Sequence, residues 1–234
     1  MSEIKTQSAQ QPVAHTQPKA LRVLANIVSY VCHPVFMPVV MSVMVYLLAR
    51  DKFQGITQHQ LFFWLISIGV STLLLPLVVV FILKGLNFIK SIKLENARER
   101  VIPLMAAMIF YFSLSHSFLN FDKIKDFHAV PAPLILQVLL LGSFWGIIAL
   151  FMFNIFTKVS LHTAAAGSMV GIIIVMMMMP DIHTNLIMPL FIAIILAGII
   201  GTSRMILGAH QKGDIWVGYI TGILVQLGAY WFLK

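Results

Sequence analysis

The chain has little charge for its length. Only 10% of its 234 residues are Asp, Glu, Lys or Arg, whereas 59% are hydrophobic, and the mean hydropathy is +0.93. A soluble domain of ordinary composition carries about 25% charged residues. These proportions exclude a water-soluble globule and a disordered chain, and a membrane protein is the class that fits.

Cysteine is nearly absent as well. The one cysteine, Cys32, lies inside an apolar run, which excludes a disulfide framework and a thiolate metal site. Residues 1–20 are polar and the first apolar run is too long for a cleavable signal peptide. We therefore predict a flexible tail at residues 1–20 and a single membrane-embedded domain over residues 21–234.

Long hydrophobic runs make up most of the remaining chain. A spanning helix takes about 20 apolar residues, and a backbone in lipid must satisfy its own hydrogen bonds. The sequence therefore predicts an all-α fold, a polytopic transmembrane helical bundle of about seven spans. The predicted spans are Leu24–Ala49, Leu61–Leu83, Val101–Leu119, Pro133–Phe153, His162–Met179, Leu186–Ile200 and Ile215–Leu233.

Two features of the first span interrupt a regular helix. His33-Pro34 and Pro38 remove backbone donors, which indicates a proline kink. His33 could instead line a polar pocket, because ionisable groups within membranes are often functional.

The net charge of +8 would indicate nucleic acid binding in a soluble protein. In a membrane protein we attribute it to loop residues that flank the spans, and we expect no nucleic acid partner. Counted by predicted loop, 11 of the 16 Lys and Arg residues fall on the side of the N-terminus and five on the other. The positive-inside rule then places the N-terminus in the cytoplasm.

Three short polar segments fall on that same side. Seven of the 24 charged residues lie between Lys84 and Arg100, which is typical of a solvated loop or of an anion clamp. In the second segment, Ser160 is a candidate N-cap, and the start of a helix suits an anion. The third, Ser203–Asp214, places His210 and Asp214 four residues apart, so they share a helix face. A carboxylate there would fix the imidazole tautomer and stabilise its charged form, as a histidine nucleophile requires.

The third segment resembles a signature of the type 2 phosphatidic acid phosphatase superfamily, Ser-Arg-x5-His-x3-Asp, and matches it completely. The second resembles that family's Pro-Ser-Gly-His, with Val159 and Leu161 in place of Pro and Gly. The first resembles Lys-x6-Arg-Pro, with Lys93 and Arg100 at the right spacing and Val101 in place of Pro. Arg98 is the alternative arginine, although it breaks the spacing. The order of the segments is also that of the family, and the resemblance covers about residues 90–220.

The resemblance implies a six-helix core and hydrolysis of a phosphate ester without a metal or another cofactor. His210 would attack phosphorus, Asp214 would orient it, and His162 would protonate the leaving oxygen, with a bell-shaped pH dependence. The phosphate ligands that it implies are Lys93, Arg100, Arg204, Ser160, Ser203 and the amide of Leu161.

A site at helix ends, with no soluble domain, favours a lipid phosphate as substrate. Phosphatidic acid, phosphatidylglycerol phosphate, isoprenyl pyrophosphate and lipid A phosphate all fit. We expect a phosphatase in the plasma or inner membrane, in contact with membrane lipids. Three alternatives stay open: a lipid phosphotransferase, a transporter or channel, and an inactive relative with a binding role. The resembling enzymes commonly face away from the cytoplasm, so the side of the site also stays open, as does the oligomeric state.

Overall fold

Helices account for the whole regular structure of the part of the chain that is described. The structure is a computed structural model, and it describes residues 17–89, 91, 98–120 and 130–234, in which there is no strand. The eight helices in these residues are α1 Lys19–Val31, α2 Met37–Leu48, α3 Gln58–Gly85, α4 Val101–Leu119, α5 Leu134–Phe156, α6 Leu161–Met178, α7 Ile187–Ile206 and α8 Lys212–Leu233.

Six of these helices, α3 to α8, are long and apolar enough to cross a membrane. The shortest has 18 residues, which corresponds to about 27 Å of helix and is close to the roughly 30 Å of a bilayer core. The prediction of an all-α helical bundle is confirmed, and the chain is a multi-pass membrane protein. Of the predicted tail, residues 1–16 lie outside the described residues, and α1 begins at Lys19.

The first predicted span, Leu24–Ala49, is divided into two shorter helices. α1 has 13 residues and α2 has 12, with a break at residues 32–36 that contains His33 and Pro34. Because proline lacks a backbone donor and restricts the residue before it, the helix ends where the sequence predicts an interruption. The two halves separate widely enough to pack on different partners: α1 lies against α7, whereas α2 contacts α3, α5 and α6.

A second irregularity lies within α3. Residues Val70–Leu74 form a π-helical turn, directly before Pro76. Pro76 cannot donate to the carbonyl four residues earlier, and a wider turn accommodates that loss.

The centre of the bundle is α6, which packs most extensively against α8. The two helices approach closely because Gly218 and Gly222 of α8 lie directly on the first turns of α6: a Cβ at Gly218 would come within 2.9 Å of the Ser160 carbonyl oxygen. Small residues at such interfaces let helix backbones approach each other in membranes. This contact brings the start of α6 and the start of α8 together, and with them two of the three polar segments.

Candidate functional site

His210 reaches the site through a turn that ends α7. The α7 helix closes with backbone hydrogen bonds from Leu207, Gly208 and Ala209, and Gly208 has φ +64°, a left-handed conformation that glycine adopts without strain. The chain then reverses, and α8 begins at Lys212. The side chain of His210 is only 2% exposed, so this short turn returns it to the interior.

The orientation of His210 is set by a backbone atom. Its Nδ1 lies 3.0 Å from the carbonyl oxygen of Lys158, in the linker before α6. A carbonyl can only accept a hydrogen bond, so Nδ1 is the protonated nitrogen. In the neutral ring the lone pair is then on Nε2, the nitrogen that could act as a nucleophile.

Asp214 is near the same nitrogen but at a longer distance. Its Oδ2 is 3.7 Å from His210 Nδ1 and accepts a hydrogen bond of 3.0 Å from the backbone N–H of Gln211. The backbone N–H of Asp214 in turn donates to the side chain of Gln211, and the two bonds form a capping box at the start of α8. Asp214 therefore anchors the helix that carries it and contributes negative charge beside His210, while the Lys158 carbonyl makes the direct hydrogen bond.

The surroundings of His210 keep its imidazole neutral. Burial lowers its pKa from the usual 6.5 to about 4, and the positive charges of Arg204, Arg100 and Lys158 act in the same direction. The hydrogen bond to the Lys158 carbonyl opposes this shift only in part. At neutral pH, His210 therefore has an unprotonated nitrogen next to several cations.

The second polar segment meets the third directly. Ser160 is fully buried and caps α6, where its Oγ accepts from the backbone N–H of Thr163 at 3.4 Å. The backbone N–H of Ser160 lies 3.4 Å from the carbonyl oxygen of Asp214. Leu161, which replaces the expected glycine, packs its side chain into a small apolar cluster with Leu150 and Val159.

His162 and Arg204 converge on one residue of α1. His162 Nε2 lies 3.1 Å from the backbone carbonyl oxygen of Ser29, so this nitrogen carries the proton. Arg204 Nη1 donates to Ser29 Oγ at 3.1 Å. His162 also interacts electrostatically with Arg204 and with His210, which places all three side chains in one cluster.

Ser203 belongs to the same cluster. Its Oγ is 3.5 Å from Ser29 Oγ and donates to the carbonyl oxygen of Ile200 at 2.7 Å. With its proton directed at that carbonyl, the Ser203 hydroxyl is available to a ligand as an acceptor only.

Of the first polar segment, Arg100 lies near enough to interact electrostatically with Arg204 and His210. It ends a short 3-10 turn, Arg98–Arg100, directly before α4, and it is 7% exposed. Burial lowers the pKa of its guanidinium, because this cation is held away from water. Lys93 lies outside the described residues, as does the side chain of Arg98.

The sequence-based set of site residues omits Ser29, Lys158 and His33. The rings of His33 and His162 are 5.3 Å apart and nearly perpendicular, so the alternative in which His33 lines a polar pocket matches its position. The His33-Pro34 interruption was its signal. Ser29 is one serine in an apolar run, and Lys158 acts through its backbone, so neither carries a signal in the sequence.

Neither a metal site nor a similarity to a known protein accompanies this cluster in the described residues. In the part of the chain that is described, no group of three or more His, Cys, Asp or Glu side chains is placed to hold a metal ion. No family model, curated protein or solved structure matches the chain.

Proposed function

We propose that the chain is a lipid phosphate phosphatase that hydrolyses a phosphomonoester or pyrophosphate on a membrane lipid through a phosphohistidine. The observation that carries this proposal is the hydrogen bond from His210 Nδ1 to the Lys158 carbonyl. It leaves Nε2 with a free lone pair beside the cations Arg100 and Arg204. A neutral imidazole within a cationic pocket suits attack on a phosphate.

In the first step, His210 Nε2 forms a bond to phosphorus as the bond from phosphorus to the lipid oxygen breaks. The imidazole becomes positively charged, and the Asp214 carboxylate 3.7 Å from Nδ1 stabilises that charge. In the second step, a water oxygen attacks phosphorus, the phosphorus–nitrogen bond breaks, and inorganic phosphate leaves. His210 is then restored to its neutral form.

His162 is the proposed acid and base. Its proton is on Nε2, which points at the Ser29 carbonyl. To protonate the leaving lipid oxygen, His162 must first be an imidazolium, and it exchanges its hydrogen bond with Ser29 for one to the substrate. It transfers the Nε2 proton to the lipid oxygen and becomes neutral, and it then takes a proton from the attacking water, which restores the imidazolium. Until substrate binds, the Ser29 carbonyl holds the Nε2–H of the proposed acid.

The cations supply the charge that a phosphate requires. Arg204 donates only one hydrogen bond through Nη1, to Ser29, and its buried Nε has no hydrogen-bond partner among the described residues. A guanidinium N–H without an acceptor suits a phosphate oxygen, which accepts such bonds strongly. Arg100 adds a second buried cation next to it.

The substrate class follows from where these groups lie. Arg100, Ser160, Arg204 and His210 are all at the ends of helices that are long enough to cross a bilayer. The ends of membrane-spanning helices lie at the depth of the lipid headgroups. A ligand bound there is therefore expected to carry its phosphate at headgroup depth and its hydrocarbon in the bilayer. The charge count over the loops of the predicted topology favours a cytoplasmic site. The proposed location is the plasma or inner membrane.

The test is a phosphate-release screen with purified protein in nanodiscs against the four lipid phosphates named above. We expect release from at least one of them, and we expect His210→Asn to abolish it while folding normally, because the Asn amide can still donate to the Lys158 carbonyl. His183→Asn is the matched control, since His183 is exposed and lines a pocket with Arg50 and Asp51, away from His210. Full activity in His210→Asn would refute the mechanism.

A second measurement separates hydrolysis from transfer. With labelled lipid phosphate as donor and an unphosphorylated lipid as acceptor, a phosphatase releases the label as inorganic phosphate. Appearance of the label in the acceptor lipid would identify a phosphotransferase instead. Cysteine labelling from each side of the membrane at positions 84 and 52 would determine which side holds the site.

A further inference from the structure

An apolar groove runs between α1 and α7. Its volume is about 360 Å³, and along α7 it extends from Ile195 to Ile206, which corresponds to about 16 Å of helix. The residues that line it are Leu21, Leu24, Ala25 and Val28 of α1 and Ile195, Gly198, Ile199, Thr202, Ser203 and Ile206 of α7.

One end of the groove is part of the cationic cluster. Ser203 lines the groove, and the adjacent Arg204 donates to Ser29, which follows the groove residue Val28. Arg204 also has a buried Nε without an acceptor among the described residues. Two hydroxyls therefore connect the groove to this guanidinium: Ser203 of the groove wall lies 3.5 Å from Ser29, and Ser29 accepts from Arg204 at 3.1 Å.

The middle of the groove is open because of Gly198. A Cβ built on this residue meets no atom within 4 Å, in contrast to Gly218 and Gly222, where an added Cβ would overlap α6. The neighbouring wall residues are left uncovered: Leu24 is 59% exposed and Ile195 is 47% exposed. The space above Gly198 is therefore open to a hydrocarbon chain from the surrounding membrane.

We infer that this groove holds the hydrocarbon chain of the lipid phosphate while its phosphate lies at Arg204. The inference rests on the proposed function, and it identifies α1 and α7 as the elements that select the chain. An apolar groove that two hydroxyls connect to a buried guanidinium is complementary to an amphiphile with an anionic head. Contact between the hydrocarbon chain and the groove buries apolar surface along the whole length of about 16 Å.

The first test does not require turnover. A phosphatidic acid that carries a diazirine in its acyl chain is photolysed with the protein in nanodiscs, and adducts are mapped by peptide mass spectrometry. A phosphatidylcholine with the same chain reports general contact with the bilayer. We expect an excess of phosphatidic acid adducts over phosphatidylcholine adducts within residues 19–31 and 195–206. An excess on other helices, or no excess, would overturn the inference.

The second test fills the groove. Gly198→Phe should raise KM for a long-chain lipid phosphate about tenfold, because the added ring occupies the space of several methylenes. It should leave hydrolysis of a water-soluble aryl phosphate unchanged. Gly85→Phe is the matched control, since Gly85 is also helical and has nothing within 4 Å of an added Cβ, but it lies outside the groove.

The two tests separate the two claims. If the unmodified protein releases no phosphate from any lipid, the proposed function fails, and the adduct map still decides where the chain binds. If phosphate is released but Gly198→Phe affects long-chain and soluble substrates equally, the phosphatase stands and the groove assignment fails.

Discussion

At the scale of single residues, the Lys158 carbonyl is the atom that decides which nitrogen of His210 carries a proton. The bond of 3.0 Å to Nδ1 is shorter than the 3.7 Å separation from Asp214. Orientation and charge stabilisation, which the family resemblance assigns together to Asp214, are thus divided between a backbone oxygen and a carboxylate.

The lowered pKa of His210 gives a prediction about pH. With a pKa of about 4, His210 is neutral above roughly pH 5, so the limb of the kcat/KM profile that reports His210 in the free protein should have its midpoint near pH 4. At lower pH His210 is protonated, and it then has no lone pair with which to attack phosphorus. An acid limb with its midpoint near pH 6.5, the value of a solvated histidine, would contradict this assignment.

The same shift predicts how stability changes with pH. The pKa of His210 is lower in the folded state than in the unfolded chain, so the unfolded state binds more protons between about pH 6.5 and 4. The contribution of neutral His210 to the free energy of unfolding is therefore fully present above pH 6.5, and it is lost as the pH falls to about 4. Melting temperatures in detergent should decline less steeply over this range in His210→Asn than in the unmodified protein. His183→Asn should keep the unmodified slope.

Asp214 offers a test of the division of roles. Asp214→Asn keeps an oxygen that can accept from Gln211 but loses the charge beside His210, so the melting temperature should hold while kcat falls about tenfold, the equivalent of ~1.4 kcal/mol. Asp214→Ala also loses the cap and should destabilise the protein by about 1 kcal/mol. Equal stability of Asp214→Ala and Asp214→Asn would argue against the capping role.

At the scale of helices, the contact between α6 and α8 positions two of the three polar segments. In Gly222→Ala the new methyl would overlap the Ala164 carbonyl and the backbone of Ser168, so the two helices must separate. We expect a loss of about 1–3 kcal/mol of stability and a parallel loss of activity, because Ser160 and Asp214 then move apart. Melting temperature and phosphate release measure the two effects. Gly85→Ala, at an open helical position, should be neutral or slightly stabilising, and a comparable loss there would contradict the explanation.

The helices were largely predictable and the site only in part. Spans such as Val101–Leu119 follow from apolar length alone, because lipid leaves the backbone no other solution. The division at His33-Pro34 was visible as an interruption, but the packing of α1 against α7 was not, since an apolar run does not specify its neighbour. The contacts of Ser29 depend on that packing, so no local pattern indicates them.

At the scale of the whole molecule, one buried polar group opposes the stability of the bundle. Gln226 of α8 is completely buried, and neither atom of its amide has a hydrogen-bond partner among the described residues. The amide occupies the space beside Gly142 of α5, where a side chain would leave no room. A Cβ on Gly142 would come within 2.6 Å of the amide oxygen of Gln226. An unsatisfied amide in an apolar interior costs about 1–3 kcal/mol.

Replacing that amide should therefore stabilise the protein. Gln226→Met keeps the length of the side chain and removes both polar atoms, so the melting temperature in detergent should rise by about 2–4 °C for each kcal/mol gained. Activity should be unchanged, because Gln226 lies 12 residues beyond Asp214 along α8, which corresponds to about 18 Å of helix. A lower melting temperature would show that the amide makes a favourable interaction in the bundle.

The backbone contact at Lys158 also bears on how this protein can change through descent. The oxygen that accepts the hydrogen bond from His210 belongs to the main chain. A substitution of the side chain at position 158 during evolution therefore leaves this hydrogen bond in place. An insertion or deletion between Phe156 and Ser160 would instead break the hydrogen bond, because it would move the carbonyl of residue 158 away from the His210 ring. Natural variants of this protein should therefore differ in the residue at 158 more readily than in the length of the linker around it.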